Sequence, residues 1–499
     1  MRTVPHPLMA RLMVALVAVL VFLPWVRGYF LGDDWMLYAR NSGRVLPEQL
    51  RLISDASMSA KYRPLFEVSL AWSWSLFAFN PIGHHIVNLG LHALNAVLVA
   101  ALGQRLAQDR RVGLLAGLTF AVLGCHTEAV VWITARHEMI VSALALLSVI
   151  SYIEFRDSGR RIWWLCAFLL YIIGFGFKET ALALPFALVF YDFIFIFPSQ
   201  QRDGRLRPTL GQIIPLVPLF VAGGAYLLFR LEVGGGYNVP FTLLGPPKNL
   251  VYYLLMETVG LPASTRFLSR FPAVTLSVIG SLAIACALGL WLARKQILRD
   301  RVVRFGCLWM VFALAPVILI VAERTTYVSS IGWALAAAGT MTLARDATSM
   351  SNLPSRRWLV VVVAAVFLGA NLVTLSHRSY WWNQAAHISE NVFSRVRSAM
   401  LNLPPEKDCQ LWFFDMPYQI EYAYAFGNRV LFAAWLLQDQ VGVRDVKVSV
   451  FQGDLVGASP EERMEQLYSE QAMESSVVAF FWQDGSLVQL SMPGKTGTP

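Results

Sequence analysis

Seven small polar clusters interrupt an otherwise apolar chain. They are Asp33-Asp34, Lys61 with Arg63, His84-His85, His126 with Glu128, Arg136 with Glu138, Lys178-Glu179 and Glu323-Arg324. Two adjacent carboxylates at the mouth of a membrane span are costly to hold there, and an ionisable group in that position marks a candidate functional site. A carboxylate within hydrogen-bond reach of a hydroxyl can take its proton. Arginine forks match phosphate oxygens two at a time, and lysine meets them as a point charge. One acid pair and several cations therefore suit a reaction in which a hydroxyl displaces a lipid-linked phosphate. Asp33 or Asp34 would be the base. Arg63, Arg136, Lys178 and Arg324 would be phosphate partners, and Glu128 would orient the acceptor or a neighbouring base.

Each cluster also has a plainer reading. Asp33-Asp34 can cap a helix at the membrane surface. His126-Thr127-Glu128 can be a loop hydrogen-bond network, and Lys178-Glu179 a local charge pair at a helix end. Arg324 can be a snorkelling stop charge. His84-His85 reads as interfacial structure in preference to a metal site. Asn88, His92 and Asn95 lie on one helical face, where polar groups usually bond to a neighbouring helix.

The elements that must position these groups follow from composition. The chain has 499 residues, 56% of them hydrophobic and 15% charged, with a mean hydropathy of +0.52. Soluble proteins are nearer a quarter charged. Apolar runs of about 20 residues, the length needed to cross a hydrocarbon core of about 30 Å, recur along it. The reading is a polytopic helical membrane protein with eleven spans, near 8–28, 82–103, 112–124, 139–154, 162–177, 180–197, 209–229, 273–293, 305–322, 327–343 and 358–376. Residues 248–262 read as a re-entrant or interfacial helix. The first run has no small-residue cleavage site after it and is expected to be retained.

The net charge of +9 follows the loops. Runs such as Arg105-Arg110-Arg111 and Arg294-Lys295-Arg299-Arg301 alternate with loops holding single cations. That is the pattern of cytoplasmic and outer loops, so no nucleic-acid partner is implied. The N-terminus is placed in the cytoplasm, and all seven clusters fall on the outer side. Residues 1–376 form the membrane domain, with an outer loop at 29–81 that carries the Asp pair and short interfacial helices around Leu46, Leu50 and Ile53. Residues 377–499 form a small extracytoplasmic α/β domain with strands at 411–414, 446–451 and 477–481. The five cysteines show no metal-ligand spacing, and no Asp-x-Asp stands out; a divalent ion stays open as a cofactor.

Four segments in one order carry a resemblance: YRPLFEVSLAWSWSLFAFNPIGHHIVNLGLHALNAVLV, CHTEAVVWITARHEMIVSALALLSVISY, FGFKETALALPFALVFYDF and ERTTYVSSIGWAL. They resemble the membrane part of the transmembrane O-mannosyltransferases that carry tetratricopeptide repeats, with their bacterial relatives, and more distantly other GT-C glycosyltransferases. The likeness runs from about residue 30 to 345. It implies a GT-C fold with its site on the extracytoplasmic face of the inner or plasma membrane. It also implies a polyprenyl-phosphate-linked sugar donor and an inverting single displacement. The family's acidic pair matches Asp33 and Asp34, and its other motifs fall at His126, Glu128, Arg136, Lys178, Glu179 and Arg324. No tetratricopeptide pattern follows the last span, which puts a glycan or lipid acceptor beside a protein one.

An inactive scaffold acting through the C-terminal domain is one competing reading, and two others compete with it. One is a ligase or polymerase of cell-envelope glycan that uses a lipid diphosphate and relies on the outer loop around 231–270. The other is a lipid or solute transporter, which would more often place its acids near mid-bilayer.

Overall fold

The computed structural model describes residues 6–41, 47–48, 51, 62–200, 210–233, 242, 244–260, 299–349, 354–402, 409–420, 423–426, 446–451, 462, 476–483 and 485–490. Its main helices are α1 (Pro7–Phe22), α2 (Asp33–Asn41), α3 (Pro64–Phe77), α4 (Pro81–Ala107), α5 (Arg110–Val122), α6 (Arg136–Ser158) and α7 (Arg161–Phe175). They continue with α8 (Leu184–Tyr191), α9 (Val217–Val233), α10 (Gly245–Val259), α11 (Arg301–Leu314), α12 (Thr326–Ser349) and α13 (Pro354–Leu401). Prolines begin α1, α3, α4 and α13, where a missing N–H costs nothing.

The chain is an integral membrane protein. Among the described residues six helices are long and apolar enough to cross a bilayer: Pro7–Trp25, Pro81–Ala107, Ile133–Ser158, Glu179–Ile196, Leu210–Val233 and Val361–Leu401. Arg110–Val122 and Gly124–Val131 together make a seventh, bent by 54°. Arg161–Phe175 is apolar but shorter. The expected span at 273–293 and the interfacial positions Leu46, Leu50 and Ile53 lie outside the described residues. Six of the first seven expected spans coincide with these helices or the bent pair, and the one at 162–177 coincides with the shorter Arg161–Phe175. The expected span at 305–322 is shorter than read, because α11 ends at Leu314 and Pro316 follows in a tight turn. Leu8, Leu12, Leu16 and Leu20 on α1, and Val361, Val362 and Val366 on α13, are exposed large apolar groups, as lipid-facing surfaces require.

The described chain divides into two compact units. The first comprises residues 1–26, 50–68 and 85–378; the second comprises 27–49, 69–84 and 379–499. The 48-residue helix α13 runs without a break across residue 377.

In the first unit, helices approach closely through small residues. Gly306 on α11 and Gly332 on α12 face each other so tightly that a Cβ on either would meet the other's carbonyl oxygen. Without a hydrophobic drive between helices in lipid, such backbone contact is what holds a pair together. Trp309 Nε1 donates to the Val328 carbonyl at 2.8 Å across the same crossing.

In the second unit, strands β1 (Cys409–Phe414), β4 (Val446–Phe451), β5 (Ser476–Gln483) and β6 (Ser486–Leu490) form one sheet in the order β4-β1-β5-β6. The short strands β2 (Gln419–Ile420) and β3 (Ala423–Tyr424) pair separately. The first three strands of the large sheet are parallel and β6 is antiparallel to β5. Trp412, Phe414, Val477 and Ala479 pack as its core, with Phe451 and Phe481 against them. All three strands expected from the sequence are present.

Candidate active site

The stretch 121–139 is buried at every residue, yet it holds His126, Glu128, Arg136, His137 and Glu138. Its backbone is a chain of short pieces: Gly124–His126, Thr127–Val131 and Ile133–Ala135 lead into α6. Each break frees carbonyls that lipid cannot satisfy, so irregular backbone survives at this depth only with internal partners. Asn88 on α4 supplies one set. Its amide nitrogen donates to the carbonyls of Val130, Trp132 and Ile133 at 3.2, 3.2 and 3.3 Å. Asn95, two turns further on, donates to the Met139 carbonyl at 2.9 Å. The polar face of α4 is thus a brace for the broken segment.

The brace presents the start of α6 to a network of charge. Arg63 grips Glu179 with its fork, Nη2 lying 2.7 and 2.9 Å from the two carboxylate oxygens and Nε 3.3 Å from the second. Lys178 pairs with Glu138, and both are buried. Arg324 pairs with Glu128 through its guanidinium, and its backbone N–H donates to the same carboxylate at 3.1 Å. The guanidinium also lies 5.2 Å from the centre of the Trp132 ring. Arg63, Lys178 and Arg324 all act electrostatically on Glu138. Arg136 is buried, with Nε donating to the Ile133 carbonyl at 3.3 Å. Burial pulls the Lys178 ammonium below its ordinary range, against the opposing pull of Glu138 and Glu179.

The adjacent residues Lys178 and Glu179 act on each other electrostatically, but their short ion pairs go elsewhere. Each reaches a residue at least 40 positions away, Glu138 and Arg63 respectively. Three further members escaped the sequence reading as site residues. Glu138 is the counter-ion of Lys178. Glu323 accepts from the Glu128 amide at 3.4 Å and pairs with Arg378 on α13. Arg378 in turn donates to the Gly260 carbonyl at 3.4 Å. The clue for Arg378 was available, since an arginine in the apolar register of a span rarely stands without a buried partner.

His126 lies elsewhere. Its ring packs on Phe120 and Tyr327, with centroids 4.4 and 4.5 Å away, and Nε2 is 2.7 Å from the Ser330 hydroxyl. Beside it, His92 Nε2 is 3.2 Å from the Ala121 carbonyl, which requires the N–H there and leaves Nδ1 to accept from the Tyr327 hydroxyl at 2.9 Å. This nest is a packed hydrogen-bond network between α4, α12 and the broken segment.

The Asp pair lies in the second unit. Gly32 takes a φ of 50°, which favours glycine, and donates its N–H to the Ala425 carbonyl at 2.8 Å. That turn starts α2 with Asp33 and Asp34 in its first turn. Asp34 is only 1% exposed, and its carboxylate accepts from the Leu31 amide at 3.0 Å. Asp33 is half-buried. Trp35 locks the following turn. It stacks on Phe393 at 4.9 Å and donates to the Ser389 hydroxyl, which itself donates to the Phe30 carbonyl at 2.6 Å. His84 is held by Tyr38, Ser73 and the Ala78 carbonyl within 3.0 Å. Among the described residues no three His, Cys, Asp or Glu side chains converge as a metal site.

In sequence the chain is similar to protein O-mannosyl-transferases. The protein O-mannosyl-transferase TMTC4 of Homo sapiens is 26% identical over 301 residues, covering 51% of this chain and 40% of that protein. The protein O-mannosyl-transferase Tmtc2 of Drosophila melanogaster is 29% identical over 162 residues, 31% of this chain and 17% of that protein. The chain thus spans less than half the length of these relatives. They are the class to which the four sequence motifs pointed. No protein-family model matches the chain. Among solved structures, the Archaeoglobus fulgidus oligosaccharyltransferase aligns with a TM-score of 0.48 at 13% identity, over 80% of this chain and 58% of that one. ArnT from Cupriavidus metallidurans, solved bound to undecaprenyl phosphate, aligns with a TM-score of 0.47 at 13% identity, over 95% and 93%.

Proposed function

We propose that this chain is a GT-C-type membrane glycosyltransferase, moving a sugar from a polyprenyl-phosphate donor to an acceptor hydroxyl on the extracytoplasmic side. The largely buried network of Arg63–Glu179, Lys178–Glu138 and Arg324–Glu128 carries this reading. Taking these ions out of water is expensive, and apolar residues of like size are often as stable. A structure that keeps several such pairs together has a use for charge there. The names of the O-mannosyl-transferase relatives support the reading over the half of the chain they match.

In this mechanism the acceptor oxygen attacks the anomeric carbon from the face opposite the phosphate. The bond between that carbon and the phosphate oxygen breaks, so configuration inverts. The acceptor proton passes to a carboxylate, and Asp33 suits that role better than Asp34. Asp34 already uses its carboxylate to hold the turn before α2, whereas Asp33 is the more exposed of the two. The electron pair of the broken bond stays on the polyprenyl phosphate. Arg63, Arg136, Lys178 and Arg324 meet the charge that develops there, and Glu179, Glu138 and Glu128 keep those cations aimed before the donor arrives. A divalent ion stays open as a cofactor, and no residue is assigned to hold one. The inner or plasma membrane is the proposed location, with the N-terminus in the cytoplasm.

Reconstituted protein, supplied with polyprenyl-phosphate hexose and envelope extracts, tests the proposal. Mass spectrometry should find hexose on a glycan, lipid or protein hydroxyl and an equal amount of free polyprenyl phosphate. Lipid or solute flux with no covalent product would favour the transporter, and activity only with a lipid diphosphate would favour the ligase.

A further inference from the structure

The first unit has a second polar locus far from the charge network. A cavity of about 710 Å³ opens among the ends of α1, α4, α6 and α11. It is reached from Glu138 by following α6 to Asp157, nineteen residues on and about 28 Å away at 1.5 Å per residue. That is close to the thickness of a hydrocarbon core, so the cavity belongs to the opposite membrane face.

Three arginines from different helices line it: Arg11 on α1, Arg105 in the last turn of α4 and Arg301 at the start of α11. Arg105 is taken up by Glu154 and lies 3.9 Å from Asp157, the one acid of the lining. Arg11 and Arg301 are exposed and make no ion pair among the described residues. The remaining wall includes Leu98, Ile150, Ile153 and Phe195. On α1, Leu8 and Leu12 beside Arg11 are 62% and 60% exposed, so the edge next to the arginines is open to acyl chains.

We propose that this cavity binds a membrane lipid through its anionic phosphate headgroup, with Arg11 and Arg301 on the phosphate and the acyl or prenyl chain along the apolar wall. The volume is in the range of small-ligand sites, and unpaired guanidiniums are the groups that grip phosphate best. Apolar walls argue against a soluble anion, which would leave them wet. The site would be a lipid-binding element separate from the donor, and it does not rest on the assignment of the reaction.

The test uses the detergent-purified full chain with four additives: phosphatidylglycerol, phosphatidylcholine, a polyprenyl monophosphate and inorganic phosphate. Native mass spectrometry and thermal unfolding read the binding. Phosphatidylglycerol or the prenyl phosphate should be retained and raise Tm, while phosphatidylcholine and inorganic phosphate should not. Which anionic lipid is retained identifies the source of the headgroup. Arg11→Gln with Arg301→Gln should weaken that binding about tenfold or more, since charge-assisted contacts to the phosphate are removed. Only the part lost in this variant counts, which separates it from a prenyl phosphate held at the other face. Ala101→Trp keeps the arginines, fills the cavity and should have the same effect. Equal retention of phosphatidylglycerol and phosphatidylcholine, an equal response to inorganic phosphate, or well-folded variants that bind like the parent would each overturn the proposal.

Discussion

Asp33 and Asp34 are neighbours of unlike exposure, half-buried and buried, and the proposed reaction assigns the base to Asp33. Asp33→Asn should reduce transfer by roughly 10²–10⁴-fold per folded molecule, the usual worth of a positioned base. Asp34→Asn weakens the hold on the Leu31 amide. It should lower stability by about 1 kcal/mol, as loss of a cap does, with activity falling only as folded protein falls. Transfer rates and melting curves on both variants decide the matter; full activity in Asp33→Asn would remove the assigned base. Arg63 offers a second residue-scale test. Arg63→Lys keeps the charge but not the two-pronged grip on Glu179. The expected result is roughly a tenfold or greater fall in kcat/KM for the prenyl donor, the size of one or two charge-assisted bonds. An unchanged kcat/KM would mean that the fork only joins two segments of chain.

At the scale of elements, the broken segment before α6 brings distant residues into register. Glu138→Gln leaves the Lys178 ammonium buried beside a neutral amide and should cost about 3–5 kcal/mol, the typical penalty for an uncompensated buried charge. Glu138→Leu with Lys178→Met removes both charges. It should recover most of the lost stability without recovering transfer, which would separate bracing from chemistry. If the double variant were fully active, the pair would be a helix-to-helix brace and nothing more. The chemical types at this site were legible in the sequence, because charged residues inside apolar runs stand out. Their pairing was not. The partners lie 40, 116, 196 and 55 positions apart for Lys178–Glu138, Arg63–Glu179, Arg324–Glu128 and Arg378–Glu323, and nothing local reports such distances. The sequence permits the length of α13, since no proline interrupts the chain between Pro354 and Pro404, but it was not read there. The change from apolar to polar composition near residue 377 concealed a continuous helix.

At the scale of the whole molecule, the membrane class follows from hydropathy alone, because long apolar helices are what lipid permits. The C-terminal sheet was legible for the same elementary reason, with runs such as Cys409–Phe414 and Ser476–Gln483 rich in aromatic and β-branched residues. Orientation is the remaining large-scale assignment, and it rests on where the arginines gather. Arg105, Arg110 and Arg111 close α4 and open α5, and Arg299, Arg301 and Arg304 stand at the start of α11. If these ends face the cytoplasm, then Arg63, at the N-terminal edge of α3, faces outward, and the proposed reaction needs Asp33 outside as well. Single cysteines introduced at Gln108 and Arg299 should resist a membrane-impermeant thiol reagent in intact cells and react after permeabilisation. Cysteines at Tyr29 and Asn80 should react in both states, in a background freed of exposed Cys307. The opposite labelling pattern would put the acid pair in the cytosol, where an extracytoplasmic acceptor never arrives, and the proposed reaction would fail with it.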